Sequence, residues 1–231
     1  MFGAVISMPS ALSLSIVLAV FGLIVPPLTA APPADKSLAA LSAESRAETL
    51  MEKVVLLLKT KQYAEALRLL AEAEAISPGD PTTRNAKAAA LIQTDRFDEA
   101  EGILTDLIAE NPQFFQANYN MGEILFLKKD YPAAVAHFQR MQNVHGPLPL
   151  IRFKRMLCEI LSNDTVSAEI TLRTFRFPAD APAWYFAYAA MTLFHGDRSE
   201  AKALMDTATR IHGKDGTALF VETITDSELG K

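Results

Sequence analysis

The clearest hydrophobic pattern in the chain lies between residues 97 and 108, where Phe97, Ala100, Ile103, Leu104, Leu107 and Ile108 recur at helical spacing, with Asp98, Glu99, Glu101 and Asp106 on the opposite face. That segment is expected to be an amphipathic helix with one buried side. It also belongs to a repeat: Tyr63, Phe97 and Tyr131 stand 34 residues apart, as do Ala66, Ala100 and Ala134, and Pro78 and Pro112. At the same phase the segments 62–66, 96–100 and 130–134 each follow a polar break that ends one helix and begins another. Asp80-Pro81, and Asp130 with Pro132, place a capping carboxylate next to a first-turn proline; Asn163 and Asp164 can cap similarly. No strand pattern competes. The expected fold class is therefore all-α, a stack of antiparallel helical hairpins in which the aromatic wedges between paired helices. The recurrent alanine lets the two helices approach, and the proline closes the second helix.

The period and these residues resemble the tetratricopeptide repeat. In that family a small residue stands at the eighth position, an aromatic at the seventeenth, alanine at the twentieth and proline near the thirty-second. Three clear repeats fit, at about 47–80, 81–114 and 115–148, with Ala88 and Gly122 at the small position and Leu70, Leu104 and Phe138 at a core position. Two degenerate ones follow. The fourth, about 149–182, keeps Ala168 but has Thr165 for the aromatic and Met156 for the small residue. The fifth opens at Ala183 with Trp184-Tyr185 and turns at Gly196-Asp197, one residue longer than the pattern. The resemblance implies an α-solenoid of about five hairpins over residues 45–212, with 213–231 as a tail. Within that tail Ala218 to Val221 reads as a partial helix capping the last hairpin.

By the same resemblance, binding is expected on the concave face, at fixed positions of each first helix. Those positions hold Asn85, Ala89 and Gln93 in the second repeat and Gln116, Tyr119, Asn120, Glu123 and Phe126 in the third. In the fourth they hold Phe153, Lys154, Leu157 and Ile160. Such a groove suits an apolar helix or extended peptide anchored by buried rings, with an Asn ladder near the backbone. The alternative reading of Phe153, Leu157 and Ile160 is plain core, or cover beneath the tail. The two-carboxylate clamp known in the family is absent: Met51, Val55, Gln116 and Asn120 stand where it needs Lys, Asn or Arg. A chaperone co-factor role is thus disfavoured.

The chain's 22 basic and 27 acidic residues, a net charge of -5, argue against nucleic acid as a partner. Residues 113–177 nevertheless carry eight basic against five acidic side chains, and Arg152, Lys154 and Arg155 form the centre of an expected basic patch, alongside Arg173 and Arg176. It could meet an acidic glycan or the acidic hairpins of a second copy, so self-association remains an alternative; the simpler account is a solvated helix face.

At the N-terminus, residues 11–25 form a nearly unbroken apolar run, followed by Pro26-Pro27-Leu28-Thr29-Ala30. Residues 1–30 are expected to be a secretory signal peptide cut after Ala30, leading into an Ala/Pro/Ser-rich flexible linker over 31–44. No Lys or Arg precedes the run, so retention as an N-terminal membrane anchor is the alternative. No cysteine lies near the cut, which excludes a lipoprotein route. The exported, periplasmic or secreted location follows from this segment alone.

Catalytic chemistry has no visible basis. His137, His145, His195 and His212 form neither H-E-x-x-H nor another i, i+4 ligand pair, and there is no Gly-rich phosphate loop or G-x-S-x-G elbow. The lone Cys158 suits a small core residue, and the sequon Asn163-Asp164-Thr165 is more simply a helix cap. No metal or other cofactor is expected. The resulting reading is an exported non-enzymatic scaffold for a protein or peptide partner; the alternative is an envelope module that handles an acidic polymer or self-assembles.

Overall fold

The computed structural model describes residues 38–230, with side chains described from residue 43. Among these residues every regular element is helical, and the helices pair in order. α1 (Leu38–Lys59) packs on α2 (Tyr63–Ile76), α3 (Pro81–Ile92) on α4 (Phe97–Glu110), and α5 (Phe115–Leu127) on α6 (Tyr131–His145). α7 (Pro149–Leu161) packs on α8 (Thr165–Leu172), and α9 (Ala183–Phe194) on α10 (Arg198–Asp226), which a short 3₁₀ turn (Glu228–Gly230) follows. The first helices from α3 onwards begin at the residues where the repeat phase places them.

Each hairpin turns in the same way. Lys61, Asp95, Lys129 and Asn163 adopt left-handed backbone with φ between 58° and 61°, again at a 34-residue step, and Gly196 takes the fifth turn at φ 89°. In every case the next residue donates its N–H to a carbonyl five residues back, as Asp130 does to Leu125 and Asp164 to Glu159. The degenerate fourth and fifth hairpins thus share the backbone geometry of the clear ones. Asp80, Asp130, Asp164 and Asp197 cap the helices that follow them by accepting from the N–H groups of Thr83, Ala133, Ser167 and Glu200. Asn163 is a turn residue and not a second cap.

Helix contact inside each hairpin depends on small side chains. Ala66, Ala100, Ala134, Ala168 and Ala201 are all fully buried, so any larger residue there would force the pair apart. At Gly122 the approach is closer still, since a Cβ would run into the Phe138 ring. The core divides into an N-terminal cluster, from Leu50 to Ile124, and a C-terminal one, from Tyr119 to Ile224, with Leu127 packed against both. Such a chain of neighbour contacts is what a solenoid needs, because each hairpin alone cannot bury its apolar face.

Both ends depart from the sequence-based boundaries. α1 begins at Leu38, so residues 38–44, expected as linker, form its first turns. The expected signal segment and its cut after Ala30 lie outside the described residues. At the other end α10 is two helical arms joined at Gly213, whose φ of 76° and ψ of 165° break the helix. The second arm, residues 214–226, does more than cap the last hairpin. It folds back over the first helices, and Phe220 packs on Phe153 and Phe186, with ring centroids 5.3 Å and 5.2 Å apart. The residues beyond it are held too: Ser227 is buried and Leu229 packs on the C-terminal core.

Candidate protein-binding groove

The face formed by the first helices is knitted together by contacts between side chains one repeat apart. Asn120 on α5 donates its amide to Asn85 Oδ1 on α3 at 3.0 Å, and both side chains are fully buried. Lys154 on α7 pairs with Glu123 on α5 at 2.8 Å, and its Nζ lies 5.6 Å from the ring centres of both Tyr119 and Phe126. Burial of that pair is nearly complete, with side-chain exposures of 2% for Lys154 and 7% for Glu123, so neither charge meets solvent and each depends on the other. The two rings add their negative faces to the ammonium's surroundings. At the edge of the face, Tyr63 donates its hydroxyl to Gln93 Oε1 at 3.0 Å.

The returning arm of α10 brings a carboxylate close to the Lys154–Glu123 pair. Asp226 has its pKa pushed up to about 6, first by burial and then by Glu222 and Glu123, with Lys154 and Lys61 pulling the other way. Burial raises the pKa of Tyr63, and Glu222 adds to the shift; burial likewise raises that of Tyr131, with Glu228 contributing. Glu228 pairs with Lys129 at 2.5 Å. Glu228 thus ties the C-terminal segment to Lys129 of the third hairpin, while Asp226 sits where burial and the neighbouring carboxylates of Glu222 and Glu123 disfavour its charge.

The structure brings most of the expected groove residues together, but not as an open surface. Asn85, Gln93, Tyr119, Asn120, Glu123, Phe126 and Phe153 are all buried, and Gln116 is half-buried. Ala89, Leu157 and Ile160 are buried too. The cause at Phe153 is direct: the ring lies under Phe220. Phe153 is thus both core and covered by the tail, as the alternative reading held. Among the described residues Asn85 Nδ2, Gln93 Nε2 and Asn120 Oδ1 have no hydrogen-bond partner, so a donor is left on Asn85 of α3, another on Gln93 just after it, and an acceptor on Asn120 of α5.

The expected basic patch is corrected. Lys154 lies on one side of α7 and Arg152 and Arg155 on another, and each has internal partners. Arg152 donates to the carbonyls of Thr174 and Pro147, pairs with Asp180 at 3.1 Å and lies over the Phe175 ring. Arg155 pairs with Glu159 at 3.1 Å and donates to Thr171 Oγ1 at 2.6 Å. Lys154 points away from Arg152 and Arg155, which stand on neighbouring turns of α7 and line one cleft with Thr174, Arg176 and Asp180. Arg152 fixes the segment between α8 and α9, Arg155 ties α7 to α6 and α8, and the cations do not form an exposed surface for a polyanion.

The remaining chemistry-bearing side chains are structural. His137 donates Nε2–H to the Asn118 carbonyl at 2.7 Å, and burial lowers its pKa, which keeps the ring neutral. Burial pushes the Cys158 thiol far up, away from thiolate chemistry. Among the described residues no three His, Cys, Asp or Glu side chains gather as a metal site would require, and no helix is long and apolar enough to cross a membrane. Sequence reasoning missed Lys61, Tyr63, Lys129, Phe220, Glu222, Asp226 and Glu228 as groove residues. One signal was available: Phe220 and Ile224, like Glu222 and Asp226, are spaced four apart and mark an amphipathic helix.

By its architecture the molecule is a helical-repeat solenoid whose inner face is occupied by its own C-terminal arm. A tetratricopeptide-repeat family model matches residues 57–115, which run from the end of α1 through α2, α3 and α4 to the first residue of α5, and the match supports a tetratricopeptide-repeat family protein. Neither a curated protein nor a solved structure matches the chain. Tetratricopeptide repeats suggest a scaffold for protein–protein interaction, and the family is typically non-catalytic.

Proposed function

We propose that the chain is an exported scaffold that holds a partner protein on the face of its first helices and performs no chemistry itself. The observation that carries this reading is the groove's present content. The arm of α10 lies on that face with Phe220 packed against both Phe153 and Phe186, so the face accepts a helix side-on. Export is supported by the apolar run at 11–25 and the small residues before Ala31.

A photo-crosslinking residue in place of Gln116, half-buried on α5, and separately in place of Val166, 70% exposed on α8, tests the surface in the producing cells. Crosslinked protein partners are expected from position 116 and not from 166. Crosslinks at 166 alone would move the binding surface to the outer helices, and none at either site would end the scaffold reading. The mass of the recovered chain tests export in the same sample: a mature N-terminus at Ala31 is the expected result, and an intact residue 1 would favour a retained anchor.

A further inference from the structure

We infer that the cleft between the two arms of α10 is a binding site for a single-chain amphiphile, an alkyl chain that ends in a carboxylate. The head sits on Arg198 and the chain lies between the arms. The site is built by the end of α9, by α10 and by the turn after it, so the inference goes beyond the scaffold reading and does not depend on it.

The cleft follows from the break at Gly213. A continuous helix has no inner side, whereas two arms joined by a backbone reversal face each other. Arg198, Lys202, Met205 and Thr209 recur at steps of three and four and form one wall; Ala218, Val221 and Thr225 do the same on the other. The walls meet near the joint, where the hydroxyls of Thr209 and Thr217 lie 3.3 Å apart. Further out the second wall carries only small side chains opposite Leu193 and Met205, and a space of about 760 Å³ is left between them.

Its lining is apolar. Leu193, Met205, Ala218, Val221 and Leu229 supply much of the surface, and Val221 is 39% exposed although the other side of the same arm buries Phe220. The threonines add little polarity: Thr209, Thr217 and Thr225 turn their hydroxyls to the carbonyls of Met205, Gly213 and Val221 in their own arms. The walls therefore offer methyl and methylene groups, and what drives a ligand into the cleft is the apolar area it buries there.

Shape and charge select the occupant. From Arg198 to Thr209 the first wall is about 16 Å long. A helix of that length, about 10 Å across, displaces about 1,250 Å³, which exceeds the cleft, so neither a partner helix nor an arm of a second copy fits. An extended alkyl chain does. Of the charges on the rim, Lys202 is paired with Asp206, and Glu222 lies close enough to Tyr63 and Asp226 to raise the pKa of both. Arg198 and Lys214 carry no ion pair among the described residues, so the uncommitted charge is cationic. Lys214 adjoins the closed end. Arg198 stands at the other end of the wall, where its planar fork matches the two oxygens of a carboxylate.

Calorimetric titration of the full chain with dodecanoate, kept below its micelle threshold, tests the site. Saturable binding of one molecule is expected, with decanoate weaker by about four-fold for each methylene that the cleft encloses. Arg198→Gln should weaken dodecanoate about ten-fold, the ordinary worth of a charge-assisted pair, and leave the binding of dodecyl maltoside unchanged. Dodecyltrimethylammonium should bind the unaltered chain less well than dodecanoate. Val221→Trp fills the cleft from an exposed position and should abolish uptake of every chain; a cooperative melt shows that the variant is folded. Dodecanoate with a diazirine at its chain end locates the site without any substitution, and label is expected on the peptides that carry Met205 and Val221. No saturable binding, label confined to the first helices of the hairpins, or a folded Val221→Trp chain that binds like the wild type overturns the inference. So does tighter binding of the ammonium-headed chain, which would reverse the charge assigned to the head.

Discussion

Gly122 and the Glu123–Lys154 pair show how much single side chains decide here. Gly122 faces Phe138 so closely that a methyl group cannot be added without moving the ring. Gly122→Ala is therefore expected to destabilise the fold by about 1–3 kcal/mol, the ordinary cost of overpacking. Urea denaturation checks this; an unchanged midpoint would mean that the ring yields freely. For the ion pair the expectation is asymmetric. Lys154→Met alone leaves a buried carboxylate without its cation and should cost about 3–5 kcal/mol, whereas Lys154→Met with Glu123→Leu should recover much of that loss, because no uncompensated charge remains. A double variant as unstable as the single one would show that the pair's geometry, not its charge balance, is what the core needs. The sequence phase placed both residues on the inner face, but not against each other. Their pairing spans two hairpins, and spacing along the chain does not reveal which of several charges one repeat away will be the partner.

At the level of elements, hairpin positions were legible because the constraint is local and repeated. A wedge aromatic at 63, 97 and 131 and an alanine at 66, 100, 134 and 168 recur every 34 residues, and α3, α5, α7 and α9 begin at Pro81, Phe115, Pro149 and Ala183 as the phase requires. The left-handed turn residues were not legible. Lys, Asp, Lys and Asn carry no shared turn signature, and the helices on either side impose the conformation. The course of the second arm of α10 was hidden for another reason: its amphipathic pattern says that it buries Phe220 and Ile224, but not against which surface. That arm also carries a pH dependence. The pKa of Asp226 is about 6 when docked, against an ordinary carboxylate value near 4 when released, so docking favours the protonated form. Its contribution to docking is complete below about pH 4 and is lost as pH rises through 6. With Glu222, Glu123, Lys154 and Lys61 as the charged groups around it, hydrogen exchange corrected for intrinsic rate should show residues 217–227 better protected at pH 5 than at pH 7.5. Asp226→Asn should remove the difference. Equal protection at both values in the unaltered chain would contradict the burial of this carboxylate.

For the whole molecule, two-cluster packing and an occupied inner face go together. A solenoid exposes its last hairpin unless something covers it, and here the covering segment continues past the end of the stack and back along the groove. Termination and occupancy of the binding face are thus served by one helix. This was the least legible feature, because it depends on a single backbone reversal at Gly213 and on contacts between residues as far apart as Lys129 and Glu228. It is also the feature on which the functional account depends. Zero-length carbodiimide coupling of the dilute full chain joins only amines and carboxylates in direct contact, and Lys202–Asp206, a pair within α10, serves as the internal positive control. Peptide mapping is expected to find Lys129 joined to Glu228 within one chain. Coupling at Lys202–Asp206 without any at Lys129–Glu228 would place the arm outside the groove and contradict the account.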